Sequence, residues 1–198
     1  MDPALLACAA DVHPATMAAV VRVESATRPF ALNINRWPGR QPKPATAAEA
    51  ATVARAFIEA GYSVDLGLAQ INSRNLPSLG YTVEQMFNDP CANIRAGGRI
   101  LSDGYARAVA VHGEGQRALL AALSAYNTGS LTRGFGNGYV VRYLDGRPVP
   151  VPAPNDATRA TAALARGPRP VKTPSPLTPY AADTAVFVRE TSHVVRVD

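Results

Sequence analysis

Asp65-Leu66-Gly67-Leu68-Ala69-Gln70-Ile71-Asn72 sets two apolar residues around one glycine and closes on two neutral amides. Leu66, Leu68 and Ile71 are placed to enter a core, while Gln70 and Asn72 face outward and Gly67 allows a close backbone approach. With Gly61 just upstream, Tyr62 to Asn72 reads as a small β hairpin or an extended loop. Amides beside a glycine offer donors and acceptors together, which is what a carbohydrate groove presents. A polar edge strand next to a turn would carry the same residues.

On both sides the chain reads as helical. Asp2-Pro3 and His13-Pro14 put proline at a first helical position. Thr46-x-x-Glu49 and Thr82-x-x-Gln85 fit capping boxes. Asp89-Pro90 opens a long helix from Cys91 to about Val111, a prediction that Gly97, Gly98 and Gly104 weaken. Gln116 to Asn127 is a helix with Gly129 as its C-cap glycine, and Arg36 to Pro44 is a loop. The expected fold class is mainly α, a helical domain with a small β hairpin in its middle.

Nine of the 17 prolines fall between Pro148 and Asp198. Pro148-Val149-Pro150-Val151-Pro152-Ala153-Pro154 fixes φ at alternate residues and predicts an extended linker. Beyond it, Asp156 to Arg166 suits a short helix and Ala185 to Val197 a C-terminal strand. The expected division is therefore a folded domain over 1–147 and a Pro-rich, largely extended tail over 148–198.

Of the 198 residues, 47% are hydrophobic and 18% charged, enough apolar surface for a core. No run approaches the roughly 20 apolar residues of a transmembrane helix. The net charge of +5 favours anionic partners, but no Lys/Arg run or recognition motif points to nucleic acid. His13, His112 and His193 are scattered, so neither a metal nor another cofactor is expected. Cys8 and Cys91 have no metal-ligand spacing and suit either two buried thiols or one disulfide. Asp2 and the short apolar stretch Pro3 to Ala10 do not read as a secretory leader.

Glu24 lies on one stripe with Met17, Val20 and Val21, at i, i+3, i+4 and i+7 of the helix that Pro14 opens. Partial desolvation and the helix C-terminus both push such a carboxyl toward its protonated form, as a general acid requires. A structural glutamate bonded to backbone or arginine fits the same stripe. Tyr126 shares a face with Leu119 and Leu123, at the border between core and whatever the helix end meets. Asn127 suits a ligand contact or a helix cap, and Trp37 a sugar-stacking ring or an anchor for its loop.

Glu24-Ser25, Gly67-Leu68-Ala69-Gln70 and Ala125-Tyr126-Asn127-x-Gly129, in that order, resemble the signature of the Slt-type lytic transglycosylases, lysozyme-fold enzymes that cleave peptidoglycan. Asp65-x-Gly-Leu-x-Gln-Ile-Asn72, and Asp89-Pro90-Cys91-x-Asn93-Ile94 with an N-terminal Cys, are most similar to the specialised transglycosylases of type IV secretion systems. The resemblance covers roughly residues 4 to 145. It implies a lysozyme-like α+β domain, Glu24 as the single catalytic acid/base, and Ser25, Gln70, Asn72, Tyr126 and Asn127 as substrate-binding residues. It also implies a Cys8–Cys91 disulfide and a periplasmic location. Ala69 departs from the Met common in the family, and the insert carrying Arg36 to Pro44 is placed to shape or cover the groove.

The implied reaction cleaves the MurNAc-GlcNAc β-1,4 bond and closes a 1,6-anhydromuramyl ring, locally opening the wall for secretion-system assembly. Two alternatives stand beside it. A lysozyme-like muramidase would use water, with Asp65 as second carboxylate, although a turn residue at a strand end explains Asp65 as well. A non-catalytic scaffold would grip peptidoglycan while the tail recruits secretion components.

Overall fold

Proline and its preceding cap open the first helices. In the computed structural model, which describes residues 1–144, α1 spans Pro3–Leu6 with Asp2 Oδ1 accepting from the Ala4 N–H at 2.9 Å, and α2 spans Pro14–Ser25. The tail expected beyond Pro148 lies outside the described residues. These group into two compact units, one of Met1–Ala10 with Thr16–Arg99, the other of Asp11–Ala15 with the chain from Ile100 onward.

In the first unit, α3 (Ala47–Glu59) starts where Thr46 Oγ1 accepts from the Glu49 N–H at 3.2 Å. The Glu49 carboxylate reaches one residue further back than a capping box requires, to the Ala45 N–H at 2.9 Å. Three short strands, β1 (Leu32–Ile34), β2 (Val64–Leu66) and β3 (Ile71–Asn72), form an antiparallel sheet in chain order. β2 and β3 are the expected hairpin. β1 is an addition, pairing Leu32 with Leu66 and Ile34 with Val64. α3 packs on β1, β2 and α5.

After β3 a 3₁₀ turn and α4 (Leu76–Leu79) lead to α5 (Gln85–Asn88), whose Thr82–Gln85 box is complete in both directions, at 2.8 and 3.3 Å. α6 (Pro90–His112) is one uninterrupted helix of 23 residues, in which Gly97, Gly98 and Gly104 are all buried. Ile34, Val64, Leu66, Ile71, Met86 and Ile94 are closed off from solvent in this unit.

The second unit is built around α7 (Gln116–Thr128), which ends at Gly129 with φ +72°. α7 packs on α8 (Arg133–Gly136) and on a 3₁₀ turn over Val140–Tyr143. The α7–α8 approach is set by Gly134: a Cβ there would lie 2.6 Å from Ser124 Cα. Ser124 Oγ instead accepts from the Gly134 N–H at 2.8 Å and donates to the Ser130 carbonyl at 2.6 Å. Gly104 faces Ala122 more loosely, and a Cβ there would meet it at ordinary contact distance, 3.4 Å or more. The make-up is mainly helical with a small sheet, as the lysozyme-like expectation required.

Candidate active site

Met17, Val20 and Val21 are fully buried along α2, and Glu24 on the same stripe is half-buried one residue before the helix ends. Ser25 is buried, and its hydroxyl donates to the Val21 carbonyl at 3.1 Å. Two residues in the left-handed region follow, Ala26 at φ 51° and Thr27 at φ 62°, so the chain turns sharply just past the carboxylate without a glycine.

That turn is joined to the hairpin by hydrogen bonds. The Ser25 carbonyl accepts from the Arg28 N–H at 3.2 Å and from Arg28 Nε at 3.0 Å. The Ala31 N–H donates to the Arg28 carbonyl at 3.3 Å, and the Ala31 carbonyl accepts from the Gly67 N–H at 2.9 Å and from Gln70 Nε2 at 3.2 Å. Gln70 Nε2 also donates to the Gly67 carbonyl at 2.8 Å. Among the described residues its Oε1 has no partner, so one acceptor stays available on a half-buried side chain held by its other end.

The Gly67–Gln70 turn rests on a residue the sequence reading quoted without giving it a role. Asn93 is fully buried on α6, and its Nδ2 donates to the Leu66 carbonyl at 2.9 Å and the Met86 carbonyl at 3.1 Å. Its Oδ1 accepts from the Ala69 N–H at 2.8 Å. Gly67, at φ +72°, is pressed against the same amide, and a Cβ there would lie 2.8 Å from the Met86 carbonyl. Two residues before Asn93, Cys91 forms a disulfide with Cys8, with 5.4 Å between their Cα atoms. A buried asparagine inside a helix looks like any other in sequence. Only its offset from Asp89-Pro90-Cys91 marked it.

Asp65 is not a turn residue. It lies mid-strand on β2, half-buried, opposite Asn33 and Asn72. Its oxygens accept from Asn33 Nδ2 at 2.9 Å, Asn35 Nδ2 at 3.0 Å and Asn72 Nδ2 at 2.7 Å. Asn72 Oδ1 is engaged too, accepting from the Arg74 N–H at 3.1 Å. Trp37 packs edge-on against Phe57 and Tyr62, with ring centroids 5.1 and 5.5 Å away, and so anchors its loop.

In the second unit, Tyr126 is half-buried on the last turn of α7. Asn127 is exposed, and its Oδ1 accepts from Asn137 Nδ2 at 3.2 Å instead of capping the helix. Among the described residues no three His, Cys, Asp or Glu side chains gather to hold a metal.

Residues 5–140 match the family model described as the transglycosylase SLT domain. The chain belongs to that family. Within the transglycosylase SLT family its curated relatives include the type IV secretion system protein virB1 of Brucella abortus biovar 1 (strain 9-941), 44% identical over 130 residues, 65% of this chain and 53% of that protein. The protein virB1 of Agrobacterium fabrum is 41% identical over 133 residues, 67% of this chain and 53% of its own length. The transglycosylase SLT chain thus spans about half the length of the curated relatives it matches. No solved structure matches it.

Proposed function

We propose that this chain is a peptidoglycan lytic transglycosylase in which Glu24 acts as both acid and base. The observation that carries the proposal is the placement of Glu24. It is half-buried on a stripe of fully buried side chains, at a helix end bonded through Arg28 and Ala31 to the turn that holds Gln70. In the proposed reaction Glu24 gives its proton to the oxygen between N-acetylmuramic acid and N-acetylglucosamine. The substrate's own N-acetyl oxygen relieves the charge at C1. Glu24, now a carboxylate, takes the proton of the muramyl O6 hydroxyl, which attacks C1 and closes the 1,6-anhydro ring. One carboxylate serves both steps, as in other substrate-assisted glycosidases.

Among the substrate-binding residues proposed on the motif, Gln70 is the best equipped, with its amide nitrogen fixed and its oxygen available. Ser25 and Asn72 have their polar atoms engaged within the fold and act by shaping the surface beside Glu24 and Gln70. Tyr126 and Asn127 are proposed as glycan-contacting residues on the strength of the motif. Digestion of purified peptidoglycan with the wild type and with Glu24→Gln, read by mass spectrometry, tests the reaction. Anhydromuramyl ends are expected from the wild type, falling by about a hundredfold or more in the variant, the scale of a lost general acid. Reducing ends from the wild type would transfer the assignment to a hydrolase. Failure of both proteins to cut while both bind would leave the scaffold reading.

The name of the Brucella relative supports a role in a type IV secretion system, where the proposed cleavage would open the cell wall locally. The Cys8–Cys91 disulfide suits an oxidising compartment such as the periplasm. Recruitment of secretion components through the tail is proposed from its proline content alone, and deleting residues 148–198 tests it by loss of that recruitment.

A further inference from the structure

Between Ser25 and Ala48 the chain carries four basic residues and no acidic one. Three of them, Arg36, Arg40 and Lys43, lie on the loop that leaves β1 and are exposed. Among the described residues none of the three makes an ion pair.

This loop is built rather than slack. Gln41 lays its amide along the outer border of β1, accepting from the Ile34 N–H at 2.7 Å and donating to the Ile34 carbonyl at 3.0 Å. Trp37 is held by Phe57 and Tyr62, and Gly39 sits so close to the indole that a Cβ would collide with its ring nitrogen. Pro38, Pro42 and Pro44 fix φ between these anchors. Arg36 is itself held at φ 61°. Three cations are thus presented with most of their backbone entropy already spent, which is the condition under which weak polar contacts add up to binding.

Its position suits a feature that hangs from the glycan rather than the glycan itself. The loop leaves β1 at Ile34, opposite Val64, whereas the Gly67–Gln70 turn leaves the other end of the strand pair, beyond Leu32 and Leu66. The two ends are separated by two residues of strand, about 7 Å. Sugar rings are neutral, so a cationic surface displaced along the sheet answers to the carboxylates of the peptide stems on muramyl residues, which guanidinium groups grip in a planar fork.

We propose that Arg36, Arg40 and Lys43 form a docking surface for peptide-stem carboxylates, making the chain prefer peptide-bearing over peptide-free glycan. The proposal rests on peptidoglycan being the substrate. The test is co-sedimentation of the full chain, wild type against R36N/R40Q/K43Q, with intact sacculi and with sacculi stripped of peptide by an amidase, the lactyl carboxylates so exposed then being capped as neutral methylamides. Asn at 36 keeps a residue that tolerates positive φ. The expected result is a loss of about fivefold on intact sacculi, the scale of a few exposed ion pairs, with no change on stripped glycan. Equal loss on both materials, or loss on neither, overturns it. So does a loss confined to phosphatidylglycerol vesicles, which would give the surface to a membrane. Release of anhydromuramyl products from stripped glycan by the wild type, followed in the same samples, separately tests the substrate assignment, because it does not involve the loop.

Discussion

Ala26 and Thr27 occupy a backbone region that costs a non-glycine residue roughly 1–2 kcal/mol. Thr27 is β-branched, and its hydroxyl only reaches back to the Ala26 carbonyl at 2.7 Å. Strain of this kind persists where the surroundings enforce a shape, here the sharp exit just past Glu24. Ala26→Gly should therefore raise the unfolding free energy by about 0.5–1 kcal/mol in urea titrations, the relieved strain being offset in part by the greater freedom of an unfolded glycine. The opposite substitution at the hairpin should do harm. Gly67→Ala combines a positive φ with a collision against Asn93 and the Met86 carbonyl, and a loss of about 3 kcal/mol is expected. The buried stripe of α2 and the glycine turn at Gly67 were legible in the sequence, whereas the roles expected of Glu24 and Gln70 came from the family resemblance. The turn alternative for Asp65 fails because its three amide partners come from positions 33, 35 and 72, and no local pattern announces them.

At the scale of elements, helix boundaries were readable wherever a cap or a proline marked them, and α6 ran through its glycines because they are buried. β1 was missed: three residues are too few to show alternation, and its pairing partner lies about thirty residues away. The same remoteness hid Asn93, which joins α6 to the hairpin. Asn93→Ala removes the buried amide that bonds the Leu66 and Met86 carbonyls and the Ala69 N–H, and a destabilisation of about 3 kcal/mol is expected from chemical denaturation. α3 and the start of α5 are linked by an exposed ion pair, Arg55–Glu84. The Glu84 carboxyl is held below its ordinary value, first by its own backbone N–H, against the opposing effect of burial, and then by Arg55 and Thr82. Its contribution to stability is complete above the unfolded carboxyl's pKa and is lost as pH falls through the lower folded value. An NMR titration of Glu84 should accordingly show a midpoint below that of glutamate in an unstructured peptide. Arg55→Gln should move it upward.

For the whole molecule, the Cys8–Cys91 bond closes a span of 83 residues that contains α2, the sheet and the start of α6. By chain entropy a loop of that length is worth about 4.5 kcal/mol. Reduction, or replacement of both cysteines by serine, should lower the melting temperature by calorimetry well beyond any single surface substitution. The pairing of these cysteines was not derivable from spacing. It came from resemblance, since two thiols that far apart say nothing about whether they meet.

The amide of Gln41 ties the border of β1 to the slow chemistry of ageing. It finishes the border of β1 with one donor and one acceptor, doing with a side chain what a neighbouring strand would do with its backbone. Slow loss of its nitrogen as ammonia would leave a carboxylate in the same place. That group would still receive the Ile34 N–H, but it would set a negative oxygen against the Ile34 carbonyl and push the border open. The Ile34 carbonyl would then face outward without its donor, and an aged molecule would offer the strands of others an acceptor that a fresh one keeps covered.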